Sequence, residues 1–299
     1  MKLGVMVPFV DVGGEPETVR EFAQTAENLG YHHLAAADHV LGVDAAKRPE
    51  FAQRNNSKDW FHDPFVLFSY LAACTTRIEF STQILILPQR QTVLVAKQAA
   101  CLDVLSKGRF RLGIGVGWNA VEFTGLNEDF SNRGKRSVEQ VKVMKALWAD
   151  PHVSFKGTWH TVDDAGINPL PPGRSIPLWF GGHEDVTLQR IAQWGDGWIM
   201  LAHPLGDEAR AAFTKLRSLA KQAGRDPASI GIEVWTSTAV GDATAWRDEV
   251  KGWQDLGVTH VTLNSTFGRY HHKRIKGRTM ADHLDALKRY RDAVGGLAA

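Results

Sequence analysis

Asp38 and His39 stand where a short apolar segment gives way to a long polar loop that ends at His62. A histidine in this place can transfer a proton or form a hydrogen bond, because an imidazole changes its charge near neutral pH. A structural role is the alternative, in which Asp38 caps the loop and His39 binds a backbone carbonyl. The loop is longer than a connector needs to be, but the residues alone leave both roles open.

Glycine-rich turns at two other places suit a ligand. Gly181-Gly182 precedes His183 and opens a helix, and free backbone N–H groups at the positive end of a helix bind anions. Any tight strand-to-helix connection also needs such a turn, so this pattern alone is weak. The segment GIGVGW from Gly113 to Trp118 lacks the G-x-G-x-x-G spacing of a dinucleotide site. We expect its glycines to let a flat ring or a loop approach closely.

Strand and helix patterns alternate along almost the whole chain, which predicts an α/β protein with a parallel sheet. Ile78 to Leu87 has the apolar pattern of one buried strand, Leu94 to Leu105 has apolar residues at helical spacing, and Phe110 to Ile114 resumes a buried strand. The pattern recurs to predict eight strands in all. An insertion from about 118 to 176, with a helix over Asn132–Trp148 and a β-hairpin, separates strands four and five.

The composition argues against several classes of function. With 43% apolar residues, 23% charged residues and a formal charge of +2, the chain is globular in composition and has no general attraction to nucleic acid or membranes. The N-terminus has no secretory pattern and no segment has the roughly 20 apolar residues of a membrane helix, so we expect a cytoplasmic location. Cys74 and Cys101 lie in apolar helical contexts without metal or redox spacing, so we expect both to be reduced core residues.

Three segments carry a family resemblance: TTRIEFSTQILILPQR, AKQAACLDVLSKGRFRLGIGVGW and PLWFGGHEDVTLQRIAQWGDGW. Together they resemble the luciferase-like monooxygenase superfamily, and in particular its bacterial branch of oxidoreductases that depend on the deazaflavin coenzyme F420. The resemblance runs from Lys2 to about Trp198, and more weakly to the C-terminus. It implies that residues 1–299 form a single (β/α)8 TIM-barrel domain, in which functional residues stand at the carboxyl ends of the strands.

The resemblance also implies roles for particular residues. His39 corresponds to the histidine that faces the reactive face of the coenzyme ring, and Asp38 is its partner at the same strand end. Gln83-Ile84 corresponds to a non-prolyl cis peptide that forms a bulge behind the ring. The other residues implied in coenzyme binding come from the two glycine-rich turns, of which the second holds the coenzyme phosphate: Gly115, Val116, Gly117, Trp118, Gly181, Gly182 and His183.

The resemblance and the residues that carry it lead us to expect an oxidoreductase that transfers a hydride between coenzyme F420 and a small organic substrate. His39 would orient or protonate the substrate, and the barrel would exclude water. A basic run after strand eight suits the phosphodiester and carboxylates of the F420 tail better than the single phosphate of FMN. The run consists of His271, His272, Lys273, Arg274, Lys276 and Arg278. The loop after strand two adds positive charge at the same end of the barrel through Lys47, Arg48, Arg54 and Lys58. The family is often dimeric, so we expect a homodimer.

Three alternatives stay open. The same barrel could serve an FMN-dependent monooxygenase, bind a flavin without turnover, or act as a metal-dependent hydrolase through Asp38 and His39. The histidines fall into no metal-ligand pattern and there is no Gly-x-Ser-x-Gly elbow, so we expect neither a metal nor a serine nucleophile. Glu122 is either a site carboxylate or an exposed glutamate at a helix start, and Trp60 and Trp118 are placed to stack on a ring.

One departure from the resemblance limits the choice of substrate. The F420-dependent sugar-phosphate and alcohol dehydrogenases of this superfamily have a glutamate just after the glycine-rich turn and a tryptophan four residues after the histidine. Here those two positions hold Trp118 and Val43. Oxidation of a sugar phosphate or a simple alcohol is therefore not supported.

Overall fold

The computed structural model describes residues 1–51 and 55–298 and contains a closed barrel of parallel strands. The first strand pairs with the second and with the last, and the pairing of β3 with β5 closes the ring. The strands are β1 (Lys2–Met6), β2 (His33–Ala36), β3 (Glu79–Thr82), β4 (Leu85–Ile86), β5 (Phe110–Gly115), β6 (Val153–Lys156), β7 (Thr161–Ala165), β8 (Leu178–Gly181), β9 (Gly197–Ile199), β10 (Gly231–Thr236) and β11 (His260–Leu263). β4 continues the position of β3, and β6 and β7 form a separate antiparallel hairpin, which leaves the eight barrel strands of a TIM barrel.

Helices follow the barrel strands and cover the outside of the barrel. They are α1 (Phe9–Val12), α2 (Pro16–Asn28), α3 (Pro64–Cys74), α4 (Thr92–Leu105), α5 (Ala120–Gly125), α6 (Arg133–Ala149), α7 (Asp185–Trp194), α8 (Asp207–Gln222), α9 (Ala243–Asp255) and α10 (Met280–Val294). Side-chain caps define several of their starts: Asp63 accepts hydrogen bonds from two backbone N–H groups of α3, and Thr279 and Asp282 form a reciprocal capping box on α10. The main apolar core lies between these helices and the strands.

The predicted alternation of strands and helices and the TIM barrel are confirmed, and the differences are local. The single strand predicted over Ile78–Leu87 is wrong in one respect, because it is interrupted between β3 and β4 at the Gln83-Ile84 peptide, which is cis. The sequence pattern does not predict α1 or α5, since 4 and 6 residues are too few for helical periodicity to show.

The segment between β5 and β8 contains α5, α6 and the β6–β7 hairpin. Glu139 on α6 accepts hydrogen bonds at 2.8 Å from the backbone N–H groups of Thr158, Trp159 and His160, which holds the hairpin turn against the helix. The ring of His160 also hydrogen-bonds the hydroxyl of Thr92 at 2.6 Å. The hairpin is therefore fixed beside the first turn of α4.

The inside of the barrel contains a buried ionic network. Glu233 is fully buried; its Oε1 lies 2.8 Å from His33 Nε2, 2.5 Å from Gln83 Nε2 and 2.5 Å from the hydroxyl of Thr262. Its other oxygen lies 2.8 Å from the guanidinium of Arg111. Burial alone would raise the pKa of Glu233, but the charge of Arg111 and the contact with His33 outweigh it and hold that pKa well below its ordinary value. This network fixes the side chain of Gln83 inside the barrel.

The two cysteines are free thiols, Cys74 on α3 and Cys101 on α4. Both are half-buried rather than enclosed in the core, which corrects the expectation of core residues. Within residues 1–51 and 55–298, no helix is long and apolar enough to cross a membrane.

Candidate functional site

The residues singled out from the sequence lie at the carboxyl ends of β2, β3, β5 and β8. These four strands are consecutive neighbours around the barrel, since β2 pairs with β3, β3 with β5 and β5 with β8. The fold therefore gathers segments that are far apart in the sequence onto one arc of one end of the barrel. That end is where TIM-barrel enzymes place their active sites.

One pairing on this arc joins His39 to Glu122. Nδ1 of His39 lies 3.0 Å from Oε2 of Glu122, and Oε1 of the same carboxylate accepts hydrogen bonds from the backbone N–H groups of Val40 at 2.8 Å and Leu41 at 3.2 Å. Glu122 lies in the first turn of the short helix α5 and its side chain is fully buried. The interpretation of Glu122 as an exposed glutamate is therefore wrong, and it stands as a carboxylate of the candidate site.

The protonation of this pair follows from its hydrogen bonds. Burial alone would raise the pKa of Glu122, but the hydrogen bonds from His39, Val40 and Leu41 outweigh it and leave that pKa below its ordinary value. An ionised carboxylate only accepts hydrogen bonds, so Nδ1 of His39 must carry the proton that joins the two groups. The second ring nitrogen, Nε2, is then left to accept a proton when the ring is neutral or to donate one when it is charged.

Aromatic rings surround His39 on its remaining sides. Phe61 meets it edge to face at 4.8 Å between ring centroids, and Trp118 does so at 6.1 Å. Phe51 stacks on Trp118 at 5.6 Å. The imidazole is only 15% exposed, so it lies in a largely apolar setting that a flat organic molecule can enter without meeting other charges. Trp60 is instead directed toward His62 and is largely exposed.

Asp38, next to His39, is held from both sides by the protein. Its Oδ2 accepts the backbone N–H of Ile86 at 2.9 Å, and its Oδ1 lies 2.8 Å from Nη2 of Arg90. The other terminal nitrogen of Arg90 lies 2.7 Å from Asp63 at the start of α3. Because both oxygens of this buried carboxylate are engaged, Asp38 supports the site by fixing the chain that follows the bulge.

The Gln83-Ile84 bulge brings together residues from three strands. Gln83 turns inward, where its Oε1 accepts a hydrogen bond at 2.6 Å from the indole of Trp235. The side chain of Ile84 turns toward β5 and β8. A Cβ atom on Gly115 would lie 2.1 Å from Cδ1 of Ile84, and one on Gly181 would lie 2.9 Å from its Cγ2. These two glycines therefore make room for the bulge. The bulge approaches the strand ends closely, as the glycine-rich turn leads us to expect of a ring or a loop.

The turn after β5 continues this packing. Gly117 has a φ of 74°, and a Cβ atom there would lie 2.6 Å from Cγ2 of Ile86. Val116 and Trp118 on either side of it are half-buried at the barrel mouth. The turn thus carries two partly exposed apolar side chains beside the bulge.

The turn after β8 presents its backbone to solvent. Gly182 is exposed with a φ of 111°, a conformation that a β-branched residue strongly disfavours, and its carbonyl accepts a hydrogen bond at 2.7 Å from the indole of Trp198. His183 is also exposed, and its ring meets Tyr270 edge to face at 5.7 Å. Glu184 caps α7 without a side-chain hydrogen bond. Any anion at this turn would be held by backbone N–H groups, since the neighbouring side chains include a carboxylate.

Two residues of the basic run after β11 stabilise the fold through contacts within the protein. A terminal nitrogen of Arg274 lies 2.5 Å from the buried carboxylate of Asp11, and His272 is buried and donates from Nε2 to the carbonyl of Leu201 at 3.1 Å. Lys273, Lys276 and Arg278 remain exposed. Of the four cations predicted in the loop after β2, Lys47, Arg48 and Lys58 are exposed, and Arg54 lies outside the described residues. The positive charge free for a ligand is therefore smaller than the sequence suggests. Among residues 1–51 and 55–298, no three His, Cys, Asp or Glu side chains form a group that could hold a metal ion.

Related sequences include proteins with and without an assigned activity. An uncharacterised protein of Mycobacterium tuberculosis is 33% identical over 249 residues, which cover 81% of this chain and 82% of that protein. The pyrimidine monooxygenase RutA of Allorhizobium ampelinum is 29% identical over 237 residues, which cover 75% of this chain and 64% of that protein.

Solved structures with the same fold include enzymes of two coenzyme types. An F420-dependent secondary alcohol dehydrogenase in complex with an F420-acetone adduct matches with a TM-score of 0.78 and 20% identity over 98% of both chains. A riboflavin lyase, RcaE, with modified FMN and riboflavin matches with a TM-score of 0.69 and 16% identity over 86% of this chain and 66% of that chain. The sequence model described as luciferase-like monooxygenase matches residues 1–294. Because that match spans nearly the whole chain, this protein belongs to the luciferase-like monooxygenase family and is an oxidoreductase of that family.

Proposed function

We propose that this enzyme transfers a hydride between coenzyme F420 and a small organic substrate, and that His39 handles the accompanying proton. The observation that carries the proposal is the hydrogen bond between His39 and the buried carboxylate of Glu122 at 3.0 Å. It leaves one ring nitrogen of His39 available at the end of the barrel where the family's reaction takes place. When bound, the deazaflavin ring would supply or accept the hydride.

The residues at the strand ends fit a planar ring with an anionic tail. Ile84 is half-buried and is flanked by Gly181, which has no side chain, so the bulge offers a flat apolar floor. Val116 and Trp118 would border the ring on the β5 side. The exposed backbone of Gly182 and His183 would receive the coenzyme phosphate.

His39 would act through Nε2 in either direction of the reaction. When a hydride leaves a carbon of the substrate, the neighbouring oxygen or nitrogen of the substrate loses a proton, which neutral His39 accepts. When a hydride is delivered to the substrate, the same atom gains a proton, which charged His39 donates. Glu122 would stabilise the charged ring and keep Nε2 directed away from the protein interior.

Coenzyme titrations test the proposal. F420 and FMN are each added to the purified protein, and binding is followed by absorbance and fluorescence at low and high salt. We expect micromolar or tighter binding of F420, weaker binding of FMN, and a loss of F420 affinity with salt, because the exposed Lys273, Lys276 and Arg278 act on the anionic tail. Equal affinity for the two coenzymes, independent of salt, would overturn the choice of F420.

A second candidate function is an FMN-dependent monooxygenase, which the 29% identity to pyrimidine monooxygenase RutA favours. It requires dioxygen, whereas hydride transfer to or from F420 does not. Preferential binding of FMN, with oxygenation of uracil or thymine when the complex with reduced FMN is mixed with dioxygen, would support this function, because reduced FMN supplies the two electrons that the reaction needs. Substrate-dependent reduction of F420 or oxidation of its reduced form under anaerobic conditions would support the first.

A further inference from the structure

A cavity opens at the amino ends of the barrel strands, at the opposite end of the barrel from the candidate site. It has a volume of about 240 Å³, and most of its polar and aromatic wall is made by residues at or near the starts of strands: Lys2, Glu79, Arg109, Arg111, Trp179 and His260. The side chains of Lys2 and Glu79 are partly exposed, so solutes can enter between them. A cavity of this size holds several water molecules or one small organic molecule.

The guanidinium of Arg111 is a buried polar group in the wall of this cavity. Arg111 is only 6% exposed. One of its terminal nitrogens forms an ion pair with Glu233 at 2.8 Å, but neither terminal nitrogen is in hydrogen-bonding geometry with any group in the described part of the chain. Because a guanidinium carries five N–H donors, Arg111 has donors left for a ligand in the cavity.

Aromatic packing fixes the plane of this guanidinium. Its central carbon lies 4.2 Å from the ring centroid of Trp179. The indole is itself held between β9 and β10, where a Cβ atom on Gly197 would lie 2.2 Å and one on Gly231 would lie 2.5 Å from its ring atoms. His260 meets the same indole edge to face at 4.8 Å. The donors of Arg111 are thus held in place before a ligand binds, which lowers the entropy cost of binding.

The charges around the cavity do not balance. Three cations line it, whereas only two carboxylates contact them: Lys2 pairs with Glu79 at 2.6 Å, and Arg111 pairs with Glu233. The guanidinium of Arg109 donates instead to backbone carbonyls and a threonine hydroxyl, which are neutral acceptors. One positive charge is therefore left over, which a monovalent anion balances and a water molecule does not.

The remaining wall of the cavity is neutral. Burial and then the charge of Arg111 lower the pKa of His260 from 6.5 to about 2, so its ring carries no charge at neutral pH. Its Nδ1 lies 2.8 Å from the hydroxyl of Thr259. A neutral imidazole and the indole of Trp179 suit the apolar part of a small organic acid, while Arg111 suits its charged part.

We propose that this cavity is a second ligand site, which binds a small monovalent carboxylate against the terminal nitrogens of Arg111. Guanidinium and carboxylate are both planar and pair through two parallel hydrogen bonds. Lys2 at the rim adds electrostatic attraction. The cavity shares no residue with the candidate site, so the inference does not depend on the proposed reaction or on the identity of the coenzyme.

Acetate is the probe that tests this site. The melting temperature of the full chain is measured as sodium acetate replaces sodium chloride at constant ionic strength. It should rise along a saturating curve, by about 3 °C at ten times the Kd, because a ligand that binds only the folded state stabilises it. Lys2→Met should raise the Kd about fivefold or more, because the rim loses its ammonium group. Arg111→Lys should raise it at least about tenfold, because lysine keeps the charge beside Glu233 but lacks the planar fork.

Two further variants serve as controls. Lys251→Met also removes an exposed lysine that pairs with a carboxylate, but on α9, and should keep the wild-type affinity for acetate. Gly182→Val should keep it too, because the turn after β8 lies at the other end of the barrel. A melting temperature that does not change when acetate replaces chloride would overturn the proposal. Lys2 lies at the exposed rim, so Lys2→Met should fold even if Arg111→Lys does not, and an affinity that Lys2→Met leaves unchanged would also overturn it. Weaker binding in Gly182→Val alone would do the same, because it would place the acetate at the turn after β8.

Discussion

At the scale of single residues, the sequence identifies His39 but cannot show what directs it. His39 follows a strand and opens a long loop, and both features are visible in the sequence. Glu122 is 83 residues away along the chain and reaches His39 because α5 begins just beyond β5. One signal was available: Glu122 follows Asn119, which caps α5, and a carboxylate in the first turn of such a short helix at a strand end lies close to the barrel mouth.

Removing either member of this pair should affect turnover more than coenzyme binding. We expect His39→Ala to lower kcat roughly 100-fold or more, because proton transfer by a positioned group contributes about 10²–10⁴. Glu122→Gln should lower kcat less and change the pH profile of the reaction, because the side chain that accepts the proton on Nδ1 of His39 is no longer an anion. Steady-state kinetics from pH 5 to about 9 would measure both effects.

Glu50→Gln is the control for this pair, because Glu50 is an exposed carboxylate of the same loop. It should leave the pH profile unchanged. If Glu122→Gln also keeps the wild-type profile while the protein stays folded, Glu122 does not act through His39.

The exposed turn at Gly182 allows a test of phosphate binding. Gly182→Val should weaken coenzyme binding, because the side chain would stand over the backbone N–H groups of the turn. The positive φ adds backbone strain, which Gly224→Val reproduces elsewhere, since Gly224 has a φ of 73° and open space around it. Coenzyme affinity and melting temperature are measured for both variants. Equal affinity in Gly182→Val and wild type would place the phosphate at another turn.

At the scale of elements, periodicity predicts long helices and strands well and fails where an element is broken. The helix predicted over Asn132–Trp148 is present as α6 (Arg133–Ala149), because its apolar residues recur at helical spacing. Composition does not predict the interruption between β3 and β4, because the polar residues of the segment 78–87, Glu79, Ser81, Thr82 and Gln83, include no glycine or proline that would mark a break. The break follows from tertiary packing, because Ile84 enters the space that Gly115 and Gly181 leave open.

This packing predicts a coupled pair of substitutions. Gly115→Ala should destabilise the fold by roughly 1–3 kcal/mol, because its Cβ would collide with Cδ1 of Ile84 at 2.1 Å. Shortening the partner in Gly115→Ala/Ile84→Ala removes the collision, so Gly115→Ala should cost less in the Ile84→Ala background than in the wild type. Urea unfolding of the wild type, both single variants and the double variant gives the coupling free energy. Strict additivity would show that Gly115 does not accommodate Ile84.

At the scale of the whole molecule, two histidines with lowered pKa values, the partly buried His260 and the buried His272, make stability depend on pH. Burial, together with the charge of Arg111, lowers the pKa of His260 from 6.5 to about 2, and burial together with His271 lowers that of His272 to about 4. Below about pH 6.5 the unfolded chain takes up protons at both residues, whereas the folded protein does not until pH 4 or lower. The free energy of unfolding should therefore fall steadily as the pH drops from about 6.5 to 4.

Urea unfolding at several pH values measures this slope. His260→Gln should reduce the slope of the unfolding free energy against pH by about the contribution of one proton, because glutamine does not titrate. His152→Gln replaces an exposed histidine and serves as the control. A slope that His260→Gln leaves unchanged would mean that His260 is protonated in the folded state.

The guanidinium of Arg90 has a consequence for how this barrel can change its specificity. It holds Asp38 at 2.8 Å and Asp63 at 2.7 Å, and these two residues stand at the two ends of the long loop over the barrel mouth. The side chain of Arg90 thus links the two ends of the loop. The part of this loop that follows Leu41 can be replaced or lengthened without pulling on the strands, since long surface loops cost little closure entropy. A loop from a relative can therefore be grafted between the Arg90-bound ends, with His39 and its contacts to Glu122 kept, to give this scaffold a different substrate.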